Sequence, residues 1–402
     1  MGRYYTLYSH EMLIKYPMNA LERRSILALS LIMALRMLGL FMVLPLFSLY
    51  ASTLPDATPW LIGASLGIYG LTQALLQIPF GALSDKIGRK KVIAAGLLIF
   101  MAGSMIAAIS HTIWGLFIGR ALQGAGAVGG TLLALIADLT REEQRTKAMA
   151  VAGMTIGLSF MLSIMLGPLL ASWIQVNGIF WLAALFSLIA LWLLFAIVPK
   201  PEHIIKTDTQ NFRSLLKHQE LMRLNLGIFI LHAIFTASFV VIPIGLQNMA
   251  HLNGQQQWFL YLPILILAFL IAVPCLLIAE KWRCVKPFFI GGILLLMLAE
   301  FLLWLFASKL LLSALSLLLF FTAFSLLEAF LPSLVSRTAP KTRKGTALGI
   351  YSFSQFFGIF VGGICGGWLY GALGLTEVNL FCALLAIIWL GIAFHMKNPQ
   401  YS

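Results

Sequence analysis

Twelve runs of apolar residues, each about as long as a lipid bilayer is thick, dominate this 402-residue chain and leave it few folds. They lie near 25–51, 60–83, 92–110, 112–139, 146–172 and 177–198, then near 222–247, 257–279, 287–307, 309–336, 344–372 and 376–396. An α-helix rises about 1.5 Å per residue, so about 20 apolar residues cross a hydrocarbon core roughly 30 Å thick. Strands of a membrane barrel alternate lipid-facing and lumen-facing residues, whereas these runs are apolar throughout. The expected fold class is therefore an all-α integral membrane protein with twelve spans. Composition decides one point: 10% of the residues are charged, against about 25% in a soluble domain whose surface must hold water.

The net charge of +13 would suit a nucleic-acid binder, but the positions of the charges explain it otherwise. With both termini placed in the cytoplasm, every Lys and Arg except Arg36, Arg120 and Lys309 falls on a cytoplasmic segment. A mis-drawn topology would not produce this positive-inside bias. The positive charge then faces anionic lipid. A multi-pass protein of a bacterial inner membrane is expected, acting as a monomer, with the bilayer as a partner and no nucleic acid. No cleavable signal is expected, because the first apolar run is full length and follows Arg23 and Arg24. The opening MGRYYT matches a myristoylation pattern, but that anchor would be redundant on twelve spans. Residues 1–17 read instead as a disordered extension or an upstream start ahead of Met18. Cys275, Cys284, Cys365 and Cys382 have no paired spacing, so neither disulfides nor a metal site is expected.

The longest polar break, Pro199–Arg223, separates six runs from six. The expected organisation is a cytoplasmic segment 1–24, a six-helix bundle 25–198, a cytoplasmic linker 199–221, a second bundle 222–396 and a tail 397–402. A weak internal echo supports two related halves. Gly167-Pro168 precedes Trp173 in span five, and Gly362-Gly363 precedes Trp368 at the same spacing in span eleven. The four residues Gly167, Pro168, Gly362 and Gly363 are expected at helix crossings, as is Gly124 in span four.

Between spans two and three the chain reads Gly81-Ala-Leu-Ser-Asp85-Lys-Ile-Gly88-Arg89-Lys90-Lys91. Gly81 removes a side chain where helices approach, and Gly88 permits a sharp turn. Asp85 is an anion placed to meet a helix N-terminus or a cation. Arg89 can grip a carboxylate through two hydrogen bonds, and Asp138 at the inner end of span four is the expected partner. This segment resembles the G-x-L-x-D-x-x-G-R-[KR]-[KR] signature of the major facilitator superfamily at every defining position. Arg120-Ala-Leu-Gln123-Gly124-Ala-Gly126 is similar to that family's span-four signature. Gly167-Pro168 resembles the core of its antiporter signature, although Ser163, Ala171 and Ser172 stand where that signature has glycine. The resemblance extends from about Leu21 to Tyr401 within the drug:proton antiporter branch. The branch member most resembled carries a small soluble C-terminal domain, which is not expected after Ser402.

The resemblance implies two six-helix bundles that rock about a central cavity. It also implies a cytoplasmic latch of Gly81, Asp85, Gly88, Arg89, Lys90 and Asp138 that holds the halves together and breaks when they part. Spans one, four, seven and ten would line the cavity. That places Arg36, Arg120, His232 and Glu328 there, as groups for proton coupling or cavity charge. An ionisable side chain at mid-membrane costs about 2.5–3.5 kcal/mol on insertion scales, so its presence implies a partner or a task. Glu328 is the expected proton carrier or, alternatively, a permanently paired packing group. Glu300, on a peripheral span, and the lone His232 are read first as packing residues. Tyr69, Gln73 and Gln77 recur every four residues on one face of span two, and Tyr351 and Gln355 on one face of span eleven. With Gln123, they either line the cavity or join the halves by hydrogen bonds.

The function expected is secondary active transport, as proton-coupled efflux of a small amphiphilic compound or drug. The alternative is uptake or exchange of a small metabolite such as a sugar or siderophore. A membrane enzyme or receptor is the remote third reading, since no H-E-x-x-H, G-x-S-x-G or phosphate loop is present. The expected cofactor is none, with a proton gradient as the energy source.

Overall fold

The computed structural model describes residues 18–200, 215–250, 252, 256–307, 309–340 and 344–396. The extension 1–17, most of the linker and the tail from 397 lie outside the described residues. Span one is a helix from Ala20 to Phe41, continued as Leu44–Ser52 with Pro45 in its first turn. Span two is Pro59–Ile87, opened by Thr58, whose side chain accepts from the Leu61 amide. Span three is Arg89–Ile109, and span four is split into Ile113–Ala125 and Gly129–Asp138. Spans five and six form one run of 55 residues, Glu142–Ala196, broken by non-helical Gln175 at φ 60° and ψ 178°. A continuous helix of that length would be about 80 Å long, far more than one crossing needs. The backbone break therefore turns eleven continuous apolar segments into twelve crossings. Spans seven to twelve are Gln219–Ala250, Trp258–Lys281, Val285–Phe306, Leu310–Thr338, Lys344–Leu373 and Leu375–Phe394.

Two expected unbroken spans are thus corrected. Span one breaks just before Pro45, whose missing N–H cannot continue the ladder. Span four breaks within Gly124-Ala-Gly126-Ala-Val-Gly129-Gly130, where glycine removes the conformational preference for helix.

Packing separates two groups of helices. Span one lies along the span five–six run, and span four against spans two and three. In the second group, span nine lies against spans ten and twelve, and span eight against span ten. The groups meet where span two packs on span eleven, the Leu44–Ser52 part of span one on span seven, and span eight on the span five–six run.

The seam between spans two and eleven is built on glycine. An added methyl group would lie 2.8 Å from Phe360 O at Gly67, 2.5 Å from Gly63 O at Gly363, and 2.5 Å from Pro59 O at Gly367. The two backbones touch, as small residues allow in membranes. Gly81 lies eighteen residues from Gly63, Gly345 from Gly363, and Gly349 from Gly367, each about five turns along the same face. At Gly81, Gly345 and Gly349 a methyl group would meet nothing within 4 Å. Ile62 and Leu66 are buried at one end of span two, while Ile78, Leu83 and Ile87 are exposed at the other. The seam is shut at the end that carries Pro59 and open at the end that carries the basic loops.

Candidate functional site

Three clusters of polar side chains carry the chemistry. The first sits at the basic end. Gly88 takes φ 101°, a backbone state that favours glycine, and turns the chain from span two into span three. This turn points Arg89 back at span two, where it pairs with Asp85 and donates to Ser84 Oγ at 2.6 Å. Arg89 Nε also reaches Asp138 Oδ2 at 3.1 Å, with the two side chains 2% and 1% exposed. Lys90 donates to the carbonyl of Val198 at 2.7 Å, tying span three to the end of span six. These contacts of Asp85, Arg89, Lys90 and Asp138 join spans two, three, four and six of the first bundle. The Arg89–Asp138 pair is intact while the seam is open beside Gly81, so it braces one bundle.

Glu22 was missed by sequence reasoning and adds to that brace. It forms a capping box with Asn19 and accepts from Arg141 Nε and Nη2, both at 2.9 Å. The Glu22 carboxylate raises the Arg141 guanidinium above its ordinary pKa. The Asn-x-x-Glu spacing before the first apolar run was the available signal.

The second cluster lies inside the first bundle. Arg36 Nη2 donates to Gln73 Oε1 at 2.6 Å and to Gly126 O at 3.3 Å. Arg120 donates to Gln123 Oε1 at 2.8 Å, and Gln123 donates to Ser104 Oγ at 2.9 Å. The Arg120 guanidinium lies 5.2 Å from the centre of the Tyr69 ring and 5.6 Å from that of Phe47. Arg36 and Arg120 are each 2% exposed. Tyr69 meets Phe356 of span eleven edge-on at 6.0 Å. The polar face of span two thus turns toward spans one and four, and the contact it makes across the seam is aromatic.

The third cluster lies inside the second bundle. Gln355 donates to Glu328 Oε1 at 3.1 Å and faces His232 Nε2 at 2.9 Å, while Glu328 Oε2 stands 3.8 Å from His232. Tyr351 is buried on the same face of span eleven. The Glu328 side chain is 35% exposed and His232 8%, while Glu328 Oε2 itself is buried. Glu300 is fully buried and accepts from Ser238 Oγ at 2.6 Å. Between the bundles, Phe160 of span five meets Phe235 and Phe324 of the second bundle, both at 5.5 Å. This aromatic layer also escaped sequence reasoning, because phenylalanine is abundant along the whole chain.

The glycines expected at crossings are at close approaches. Gly124 faces Tyr69 O and Thr72 Oγ1, Gly167 faces Met42 O, and Gly362 faces Ala233 O. Pro168 lies within the span-five helix. Ser163 replaces a glycine of the antiporter pattern and satisfies its hydroxyl on Ser159 O at 2.6 Å. All four cysteines are free thiols.

Comparison with known proteins extends this description. The sequence profile described as Major Facilitator Superfamily matches residues 29–283 and 276–401. The chain is 42% identical over 391 residues to the "Inner membrane transport protein YajR" of Escherichia coli K12, covering 96% of this chain and 86% of that one. It is 29% identical over 216 residues to the "Quinolone resistance protein NorA" of Staphylococcus aureus, about half of each chain (52%). Among solved structures, an inward-facing, occupied bacterial homologue of the human lysosomal transporter Spinster superposes with a TM-score of 0.78. The sequences are 13% identical, with 96% of this chain and 100% of that one covered.

Proposed function

This chain belongs to the major facilitator superfamily, and from that premise we propose that it exports a small amphiphilic compound by proton-coupled alternating access. Membrane transport is the family's activity; substrate, direction and coupling are our reading. The observation that carries alternating access is the glycine seam, shut at one end and open at the other on the same two helix faces. Closing the basic end would seat Gly81 against Gly345 and Gly349 as the far end now seats Gly63 against Gly363.

Support for orientation comes from the basic loops at the open end, which would face the cytoplasm of a bacterial inner membrane together with both termini. The half-length likeness to a quinolone resistance protein supports export. The proton carrier is Glu328, whose carboxylate faces Gln355 and His232 from a partly exposed side chain in the second bundle. The protein acts as a monomer, needs no cofactor besides the proton gradient, and does not engage nucleic acid.

The test is substrate-induced proton flux in proteoliposomes, screened across dyes, quinolones, carboxylic acids and sugars. Export predicts that a transported compound moves protons the opposite way, and that Glu328→Gln abolishes this flux while leaving counterflow. Transport indifferent to the pH gradient would overturn proton coupling. Protons moving in the same direction as substrate would favour uptake instead.

A further inference from the structure

The break in span four leaves a helix N-terminus in the middle of the first bundle. Ala125 ends one half and the ten-residue helix Gly129–Asp138 begins the other, with no side-chain cap. The first N–H groups of a helix have no intrahelical partner and carry its positive end. Broken helices of transporters use such ends to meet anionic groups.

A second observation points to a ligand at the same place. Arg36 spends Nη2 on Gln73 and Gly126 and has the Tyr69 hydroxyl beside it, while its Nε and Nη1 meet no acceptor at hydrogen-bond geometry. Gln73 Nε2 and Thr131 Oγ1 also lack one. Arg36, Gln73 and Thr131 are 2%, 0% and 1% exposed. A methyl group on Gly129 would lie 3.9 Å from Arg36 Nη1 and 4.0 Å from Gln73 Nε2, and one on Gly130 3.9 Å from Gln77 Nε2. Hydrogen-bond donors from three helices therefore converge on one glycine-lined seat. Gly129, Gly130 and Gln77 are half-buried, so the seat has an opening.

The charge balance agrees. Glu22, Asp56, Asp85, Asp138, Glu142 and Glu143 are the acids of the first bundle, and all lie at or beyond helix ends. Among the described residues, the interior of this bundle holds two guanidiniums and no carboxylate. A buried charge without a counter-charge is costly, and a seat where a guanidinium and helix N–H groups outnumber the acceptors, Gln77 Oε1 and the Thr131 hydroxyl, is satisfied by an anion.

We propose that this seat holds a carboxylate-sized oxyanion carried by the transported molecule, gripped by Arg36, Gln73 and the N–H groups of Gly129 and Gly130. The proposal rests on the transporter reading and narrows its substrate to amphiphiles with an anionic head.

The test uses purified full-length protein and three probes with one aromatic body: 1-naphthoate, 1-naphthamide and 1-naphthylmethylamine. Binding is measured by calorimetry, with chloride and inorganic phosphate as separate titrants. Naphthoate is expected to bind best. Arg36→Gln should weaken it roughly ten- to hundredfold, the scale of a lost hydrogen bond to a charged group. Arg36→Gln is itself at risk of misfolding, so Gly129→Ala is the decisive variant. Its methyl meets neighbours at ordinary contact distance, so the fold stands while the seat fills. It should lose naphthoate binding and keep the melting temperature. Equal binding of the three probes, an unchanged Gly129→Ala, or binding of chloride or inorganic phosphate alone would overturn the proposal. Spin-label distances across the seam report alternating access separately, so failure of the anion seat and failure of the transport cycle are distinguishable.

Discussion

The seam between spans two and eleven gives the most demanding prediction. In Gly363→Ala the new methyl would sit 2.5 Å from Gly63 O, 2.8 Å from Gly67 Cα and 2.9 Å from Gly67 N. Comfortable contacts to carbon are about 3.5–4.0 Å, and these atoms belong to backbone, so no rotamer change relieves them. The helices must part by about an ångström. Overpacking of this kind costs about 1–3 kcal/mol. The penalty falls only on the state in which this end is shut. The equilibrium should therefore shift roughly 5- to 150-fold toward the opposite state. Gly81→Ala and Gly349→Ala should be silent in the present state, where nothing lies within 4 Å, and should penalise the other. The assay is pulsed dipolar spectroscopy between spin labels at Leu83→Cys and Lys344→Cys, at the basic ends of spans two and eleven, with the native cysteines replaced. Gly363→Ala should enrich the short-distance population, and Gly81→Ala should deplete it. An unchanged distribution in Gly363→Ala would refute the claim that this seam closes and opens.

Three further outcomes follow from the same geometry. Arg89→Ala removes the cation facing the buried Asp138 and should cost about 3–5 kcal/mol, read as a large fall in melting temperature in detergent; a fall worth less than about 1 kcal/mol would remove the brace. Gln175→Gly relieves a backbone state that costs a non-glycine residue about 1–3 kcal/mol, so thermal unfolding should show a gain in stability, and a loss would count against strain at the break. Glu300→Leu should keep transport and stability, because Ser238 Oγ retains Ile234 O at 2.8 Å as an acceptor; loss of proton flux with intact folding would instead put Glu300 on the proton path.

Sequence alone carried the crossings well, because a lipid solvent permits few solutions: apolar length and basic loops suffice to draw twelve spans. It also marked Arg36, Arg120, His232 and Glu328, since each breaks an otherwise apolar run. Their partners were less legible. The four-residue spacing of Tyr69, Gln73 and Gln77 gave a shared face but not its direction, and the structure turns that face inward to Arg36 and Arg120. Four glycines within seven residues of span four signal a break, although only Gly124 is singled out there, as a packing residue. Complementary charges show which residues pair, while only packing shows whether the pair spans two bodies or braces one.

That distinction suggests how the molecule separates what must stay rigid from what must move. Directional bonds hold each bundle together: Arg89 to Asp138, Glu22 to Arg141 and Arg36 to Gln73 in the first, Gln355 to Glu328 in the second. Away from water such bonds are costly to break, since each leaves a polar group without a partner. The two bundles meet each other differently. Glycine backbones touch, Tyr69 meets Phe356, and Phe160 meets Phe235 and Phe324. The Ser48 hydroxyl, which donates to Phe239 O at 3.0 Å, adds a directional bond between spans one and seven. The dispersion energy given up when two apolar faces part is largely recovered against lipid tails or against the faces that close at the other end. A seam made this way can exchange one shut end for the other at low net cost, provided neither bundle loses its internal bonds. The polar groups that could bind substrate and proton stay fixed in their own bundles, and the apolar boundary between them is the part free to slide.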